Sequence, residues 1–290
     1  YISQQYAKSI EAFKPLAGGD DSLSQHAMYL LGDAYLKTGQ KNNARNAFLF
    51  CSSNSSNAQF KEISLFNYGK LSYELGYDNE ALPALKQYVN SYRQGAYITE
   101  ARDLLVGVLG NTSNYKEALD LYESLPTKSE MAKSYYPRIA YNRAQELMND
   151  RNVAGAELLL KKVQTAPYNE SVISLAHFWQ GEIDFGKNEF ASAVQHFQAY
   201  LSKPQVQGEA NVTNAKYSLG YSLLRLQEYK QAGNVFAEIA KGYFANEQQQ
   251  TDVQLRLADC ALMQKDFSKS LLIYTQVAAK QGYGSDYALY

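Results

Sequence analysis

The chain has 290 residues, 46% of them hydrophobic, and a formal net charge of −1 from 28 basic and 29 acidic side chains. That length suits two average domains or one extended array. The even charge balance excludes a dedicated nucleic-acid binder, which needs a basic stripe to displace counterions, and a polybasic membrane anchor.

In chain order, Ser9, Phe13 and Leu16 share a helical face and predict a lone second helix at the start. A two-helix unit then recurs. Tyr29 precedes Gly32 by three; Ala44 follows that Gly by twelve and Phe48 lies four further on. The same spacing joins Phe66, Gly69, Ala81 and Leu85, then Phe178, Gly181, Ala193 and Phe197, then Tyr217, Gly220, Ala232 and Phe236. Weaker copies keep the second half: Ala118 with Tyr122, Ala156 with Leu160, Ser270 with Tyr274. Counting back twelve puts Val106, Ala144 and Ala258 where Gly stood. The markers at 32, 69, 106, 144, 181, 220 and 258 are 37, 37, 38, 37, 39 and 38 residues apart.

A small marker lets a second helix come close, and the large residue of that helix fills the gap. Turn residues separate the two halves: Gly39, Gly76, Thr112-Ser113-Asn114, Lys187-Asn188-Glu189 and Gln264-Lys265-Asp266. An aromatic residue, as at Tyr115, Phe190, Tyr229 and Phe267, opens the second helix. Asp286 to Tyr290 read as the start of one more first helix. With Tyr at position 1, they predict a processed product that is part of a longer array.

This pattern of an aromatic residue, Leu-Gly, Tyr, then Ala and a large apolar residue resembles the tetratricopeptide repeat. Two features depart from it. The period is longer than the usual ~34, and the closing Pro survives only near Pro126, Pro167 and Pro204. Long repeats of this kind are similar to those of bacterial cell-envelope proteins. The resemblance implies an all-α, right-handed α-solenoid of antiparallel helix pairs, seven repeats plus a leading half, forming one domain over 1–290.

Chemistry-bearing patterns are sparse. Cys51 and Cys260 fall six repeats apart, too far for a disulfide along a straight solenoid, and predict two buried apolar side chains. His177 and His196 fall on the two helices of one repeat, short of a metal's ligand set. There is no phosphate-binding Gly loop and no nucleophile elbow. The expectation is a non-enzymatic chain without cofactor.

What remains is a binding surface. In the family, first helices line a concave groove, at positions three before, one after and four after the marker. Carried over, these give Tyr29, Phe66, Tyr73, Tyr141, Phe178, Phe185, Tyr217 and Tyr221 as partner contacts, with Tyr221 the least expected there on structural grounds. In the third repeat Asp103, Gly107 and Gly110 leave a notch for a partner side chain, or a weak link where the array bends. No repeat has Lys three before the marker with Asn one after it, so the carboxylate clamp of co-chaperone repeats is not expected. The sequence therefore predicts a scaffold binding a partner protein or peptide, with a glycan-binding module or a spacer as alternatives. An Asn-, Gln-, Ser- and Tyr-rich surface predicts a bacterial, periplasmic or otherwise extracytoplasmic setting, with the cytoplasm as the alternative.

Overall fold

A computed structural model describes residues 5–242 and 246–290. After α1 (Tyr6–Phe13) and a 3-10 turn come first and second helices in alternation. These are α2 (Ser22–Lys37) with α3 (Lys41–Ser53), α4 (Ala58–Glu74) with α5 (Asp78–Ser91), α6 (Ile98–Asn111) with α7 (Tyr115–Ser124), and α8 (Glu130–Asn149) with α9 (Val153–Gln164). Then follow α10 (Glu170–Gly186) with α11 (Phe190–Ser202), α12 (Val212–Arg225) with α13 (Tyr229–Ile239), and α14 (Glu247–Met263) with α15 (Phe267–Ala279). A five-residue α16 (Ser285–Leu289) comes last. The fold is all-α, and short turns make the helices of each pair antiparallel. The helices group into two compact units, Tyr1–Ile139 and Ala140–Tyr290, divided within α8.

The seven turns inside the pairs share one backbone solution. Each carries a single left-handed residue, at Gly39, Gly76, Ser113, Arg151, Asn188, Gln227 and Lys265, with φ between 59° and 79°. All seven lie seven residues after their marker, so the turns keep the register read from the sequence. The next amide then reaches back five residues, as from Gln40 N–H to Tyr35 O at 2.8 Å and from Glu228 N–H to Leu223 O at 2.9 Å. This is the Schellman closure of a helix C-terminus, which satisfies carbonyls the helix would otherwise leave open. Asn and Asp side chains cap the other end of the first helices: Asp21 accepts from Ser24 N–H, Asn57 from Gln59 and Phe60, Asn211 from Asn214, and Asn246 from Gln248. Part of the chain's Asn richness is thus structural.

The core repeats with the same period. A Cβ on Gly32 would lie 2.9 Å from the Phe48 ring, on Gly69 2.9 Å from Leu85, on Gly181 2.8 Å from the Phe197 ring and on Gly220 2.7 Å from the Phe236 ring. Phe48, Leu85, Phe197 and Phe236 are at most 1% exposed. In the fourth repeat the corresponding residues are Ala144 and Leu160, and both are fully buried. Where a Val or Ala marker faces Tyr, the ring is only half-buried. Tyr122, sixteen residues after Val106, meets Tyr136 at a tilt with centroids 4.7 Å apart, and the Tyr274 hydroxyl donates to Asp259. Cys51 and Cys260 are free and buried within this core.

Candidate partner-binding surface

In the first unit, half-buried Tyr29 stacks on Phe60 with centroids 5.0 Å apart, and His26 covers Phe60 at 4.7 Å. Phe66 is 2% exposed and lies flat on Tyr97 at 4.5 Å, so it belongs to the interior rather than to a groove. Its position explains this. A residue three before the marker shares the marker's face, and that face meets the second helix. The third-repeat notch is occupied from within the protein. A Cβ on Gly107 would stand 2.7 Å from Tyr73 Oη and 2.9 Å from the Tyr135 ring, and one on Gly110 would stand 2.8 Å from Ile139. Tyr73 meets Tyr135 edge-on at 6.4 Å, and burial pushes its hydroxyl pKa up. Tyr73 is therefore a packing residue.

In the second unit, Tyr141 and Phe178 are also interior, at 3% and 2% exposure, for the same reason as Phe66. Tyr141 Oη accepts from Trp179 Nε1–H at 3.2 Å and donates to Gln207 Oε1 at 3.1 Å, joining α8, α10 and the loop before α12. Trp179 and its neighbour Phe178 both wall a recess of about 340 Å³. Glu182, Glu209, Asn214, Tyr217, Ser218 and Gln249 line the rest. Glu182 accepts from Ser218 Oγ–H at 2.6 Å, and Glu209 from Asn214 Nδ2–H at 2.9 Å. Burial raises the Glu182 pKa, the Ser218 hydrogen bond opposes this, and the charge of Glu209 adds to it.

Beside the recess runs an aromatic and ionic ladder. The hydroxyls of Tyr217 and Tyr221 both donate to Asp252, which is 9% exposed. Arg256 pairs with Asp252 and Asp259 and lies over the Tyr221 and Tyr287 rings, at 6.0 and 5.0 Å. Tyr221 also meets Phe236 edge-on at 5.7 Å. Its hydroxyl is thus committed inside the array, which removes the reason for singling it out as a ligand contact. Phe185 is half-buried, edge-on to Phe190 at 5.6 Å, with Arg225 over the Phe190 ring.

The tetratricopeptide-repeat family model matches residues 26–49, which cover α2 from its second turn and most of α3. That match spans one helix pair. The same left-handed turn recurs in all seven pairs, and a marker glycine packed on its plug recurs in four, at Gly32, Gly69, Gly181 and Gly220. No curated protein matches it. Among solved structures, human IFIT1 in its dimer with PPP-AAAA is similar at 17% identity and TM-score 0.39, over 91% of this chain and 61% of that one. The chain thus spans less than two thirds of that relative. The C-terminal part of a repeat protein from Cytophaga hutchinsonii is similar at 16% identity and TM-score 0.46, over 85% of this chain and 94% of that one. The TPR2AB domain of yeast Sti1, in its complex with pHSP90, has 16% identity and TM-score 0.36, over 88% and 90%.

The helix pair α10–α11 brings its two histidines together as their spacing suggested. His177 Nδ1 and His196 Nδ1 are 3.0 Å apart, and His196 Nε2 lies 3.6 Å from Asp184 Oδ2. A neutral pair fits when His177 donates from Nδ1 and His196 turns its Nε2–H toward Asp184. Burial, foremost, lowers both histidine pKa values. Among the described residues no group of three or more His, Cys, Asp or Glu side chains is placed to hold a metal, and no helix is long and apolar enough to cross a membrane. Trp179, Glu209 and Asp252 were not singled out from the sequence. Glu182, by contrast, stands one after its marker Gly181, at a groove position carried over from the family.

Proposed function

We propose that this repeat array is a non-enzymatic scaffold that holds a partner protein or peptide on its first helices, in an envelope compartment of a bacterium. Repeats of this family serve as protein-interaction scaffolds, and the observation that carries the reading here is the division of labour along the first helices. The marker glycines are covered by the plugs, while Trp179, Glu182 and Tyr217 are only half-buried and line a recess. Aromatic side chains held half-buried at a recess are what interfaces use as anchors. The Asn-, Gln-, Ser- and Tyr-rich composition supports the compartment, which cell fractionation would test.

The binding test uses a photo-cross-linking amino acid in the protein expressed in its own host. Placed at Phe185 or Gln249, both on first helices, it should join a partner in fixed stoichiometry. Placed at the exposed second-helix residues Leu158 or Leu272, it should not. Equal labelling from both sets, or none from either, would overturn the scaffold reading.

A further inference from the structure

The geometry points to the recess between α10 and α12 as a receptor for one lysine or arginine side chain of the partner, an inference that rests on the scaffold reading above. Its walls include the aromatic residues Phe178, Trp179 and Tyr217, and its polar lining includes Glu182 and Glu209. No Lys or Arg lines it. Other carboxylates of this region already have cations. Asp252 and Asp259 hold Arg256, Glu238 holds Lys216, and Glu170 holds Lys203. Among the described residues neither Glu182 nor Glu209 forms an ion pair; one has a hydroxyl and the other an amide.

Two carboxylates and three aromatic residues around one hollow form a receptor for a cation. The rings attract it by their quadrupoles, Trp most strongly, and the carboxylates by charge-assisted hydrogen bonds. A neutral guest such as a sugar could stack on Trp179 but would leave both carboxylates uncompensated as it displaced water. At about 340 Å³ the hollow sits at the low end of the ~300–1,000 Å³ typical of ligand pockets. It is therefore sized for one side chain, with the peptide's remainder lying on neighbouring first helices. The lining is also held from behind, Trp179 by Tyr141 Oη and Tyr217 by Asp252, so little freedom is lost when a guest enters.

The test is selection of a random dodecapeptide library on the whole chain, followed by titration of one enriched synthetic peptide with its basic residue intact or replaced by norleucine. Trp179, the sole tryptophan, supplies the fluorescence readout. Enriched peptides should share a Lys or Arg. Norleucine should weaken binding about tenfold or more, the effect of losing a charged hydrogen bond. The Glu182→Gln/Glu209→Gln protein should bind the basic peptide about as weakly as the wild type binds the norleucine one, with its melting curve unchanged. Glu209→Gln alone, on the exposed loop, gives a smaller loss in the same direction and covers the case in which the double variant does not fold. Enriched peptides without a basic residue, or basic peptides bound equally well by the folded variants, would overturn the receptor while leaving the scaffold. A library that yields no binding peptide would overturn both.

Discussion

Gly220→Ala sets two physical effects against each other. A Cβ at 220 would stand 2.7 Å from Cζ, 2.8 Å from Cε1 and 3.1 Å from Cε2 of Phe236, a ring with no exposed surface. Carbon atoms pack at about 3.5–4.0 Å, so the ring would have to retreat by most of an ångström into a filled core. Overpacking of this kind costs about 1–3 kcal/mol, whereas Ala in place of a mid-helix Gly gains about 0.8–1.0 kcal/mol. The net expectation is a loss of about 1 kcal/mol. Phe236→Leu alone should also destabilise, by opening a cavity. Together the two should cost less than their sum by about 1 kcal/mol, since Ala144 and Leu160 already coexist, fully buried, in the fourth repeat. Gly186→Ala is the control: nothing lies within 4 Å of its Cβ, so propensity acts alone and stability is kept or raised. Urea unfolding followed by Trp179 fluorescence reports on the second unit directly. A Gly220→Ala protein more stable than wild type, or strict additivity in the cycle, would refute the plug.

Three further outcomes follow. Arg151→Gly and Lys265→Gly should each stabilise by about 0.5–1 kcal/mol, because both residues occupy left-handed turns that cost a side-chain-bearing residue about 1–2 kcal/mol; Gly39→Ala should lose about 1 kcal/mol, and thermal melts decide both. His177 and His196 have pKa values below the ordinary 6.5, so the unfolded chain binds protons first; stability is full above about pH 6.5 and falls as pH drops through the window below it, and His196→Gln should flatten that slope in melts from pH 7.5 to 5. Hydrogen bonds from Lys161 and Lys187 hold the Glu157 carboxyl down to about 2 from 4.5, so the stability difference between wild type and Glu157→Gln should be full above about pH 5 and close as pH falls to 2, read by denaturant titration at each pH.

The repeat register was legible because it is written twice. Small markers and large plugs carry it in the core, and the residues seven after each marker carry it in the turns. Only two of those seven turn residues are Gly; Arg151, Gln227 and Lys265 show no turn preference of their own. There the packing of the pair imposes a left-handed backbone that local sequence alone would not suggest. The face of each first helix was less legible. Borrowed groove positions put Phe66, Tyr141 and Phe178 on the surface, whereas helical spacing places a residue three before the marker beside it, against the second helix.

The same reasoning shows why the recess was hard to see in the sequence. Trp179 and Glu182 lie three apart on α10, but Ser218 and Tyr217 come from α12, Gln249 from α14 and Glu209 from the loop before α12. No single repeat holds the set: Tyr217 stands at the recurring aromatic position three before its marker, while Trp179, Glu209 and Gln249 belong to no recurring position. Periodicity reveals what every repeat shares, which is the packing. A scaffold's specificity lies in what single repeats add to that frame, and here the addition is charge: two carboxylates without a cation in a chain whose total charge is −1. If the receptor is right, affinity for a basic peptide falls with added salt despite that near-neutral total, because the field that matters is the one inside the recess.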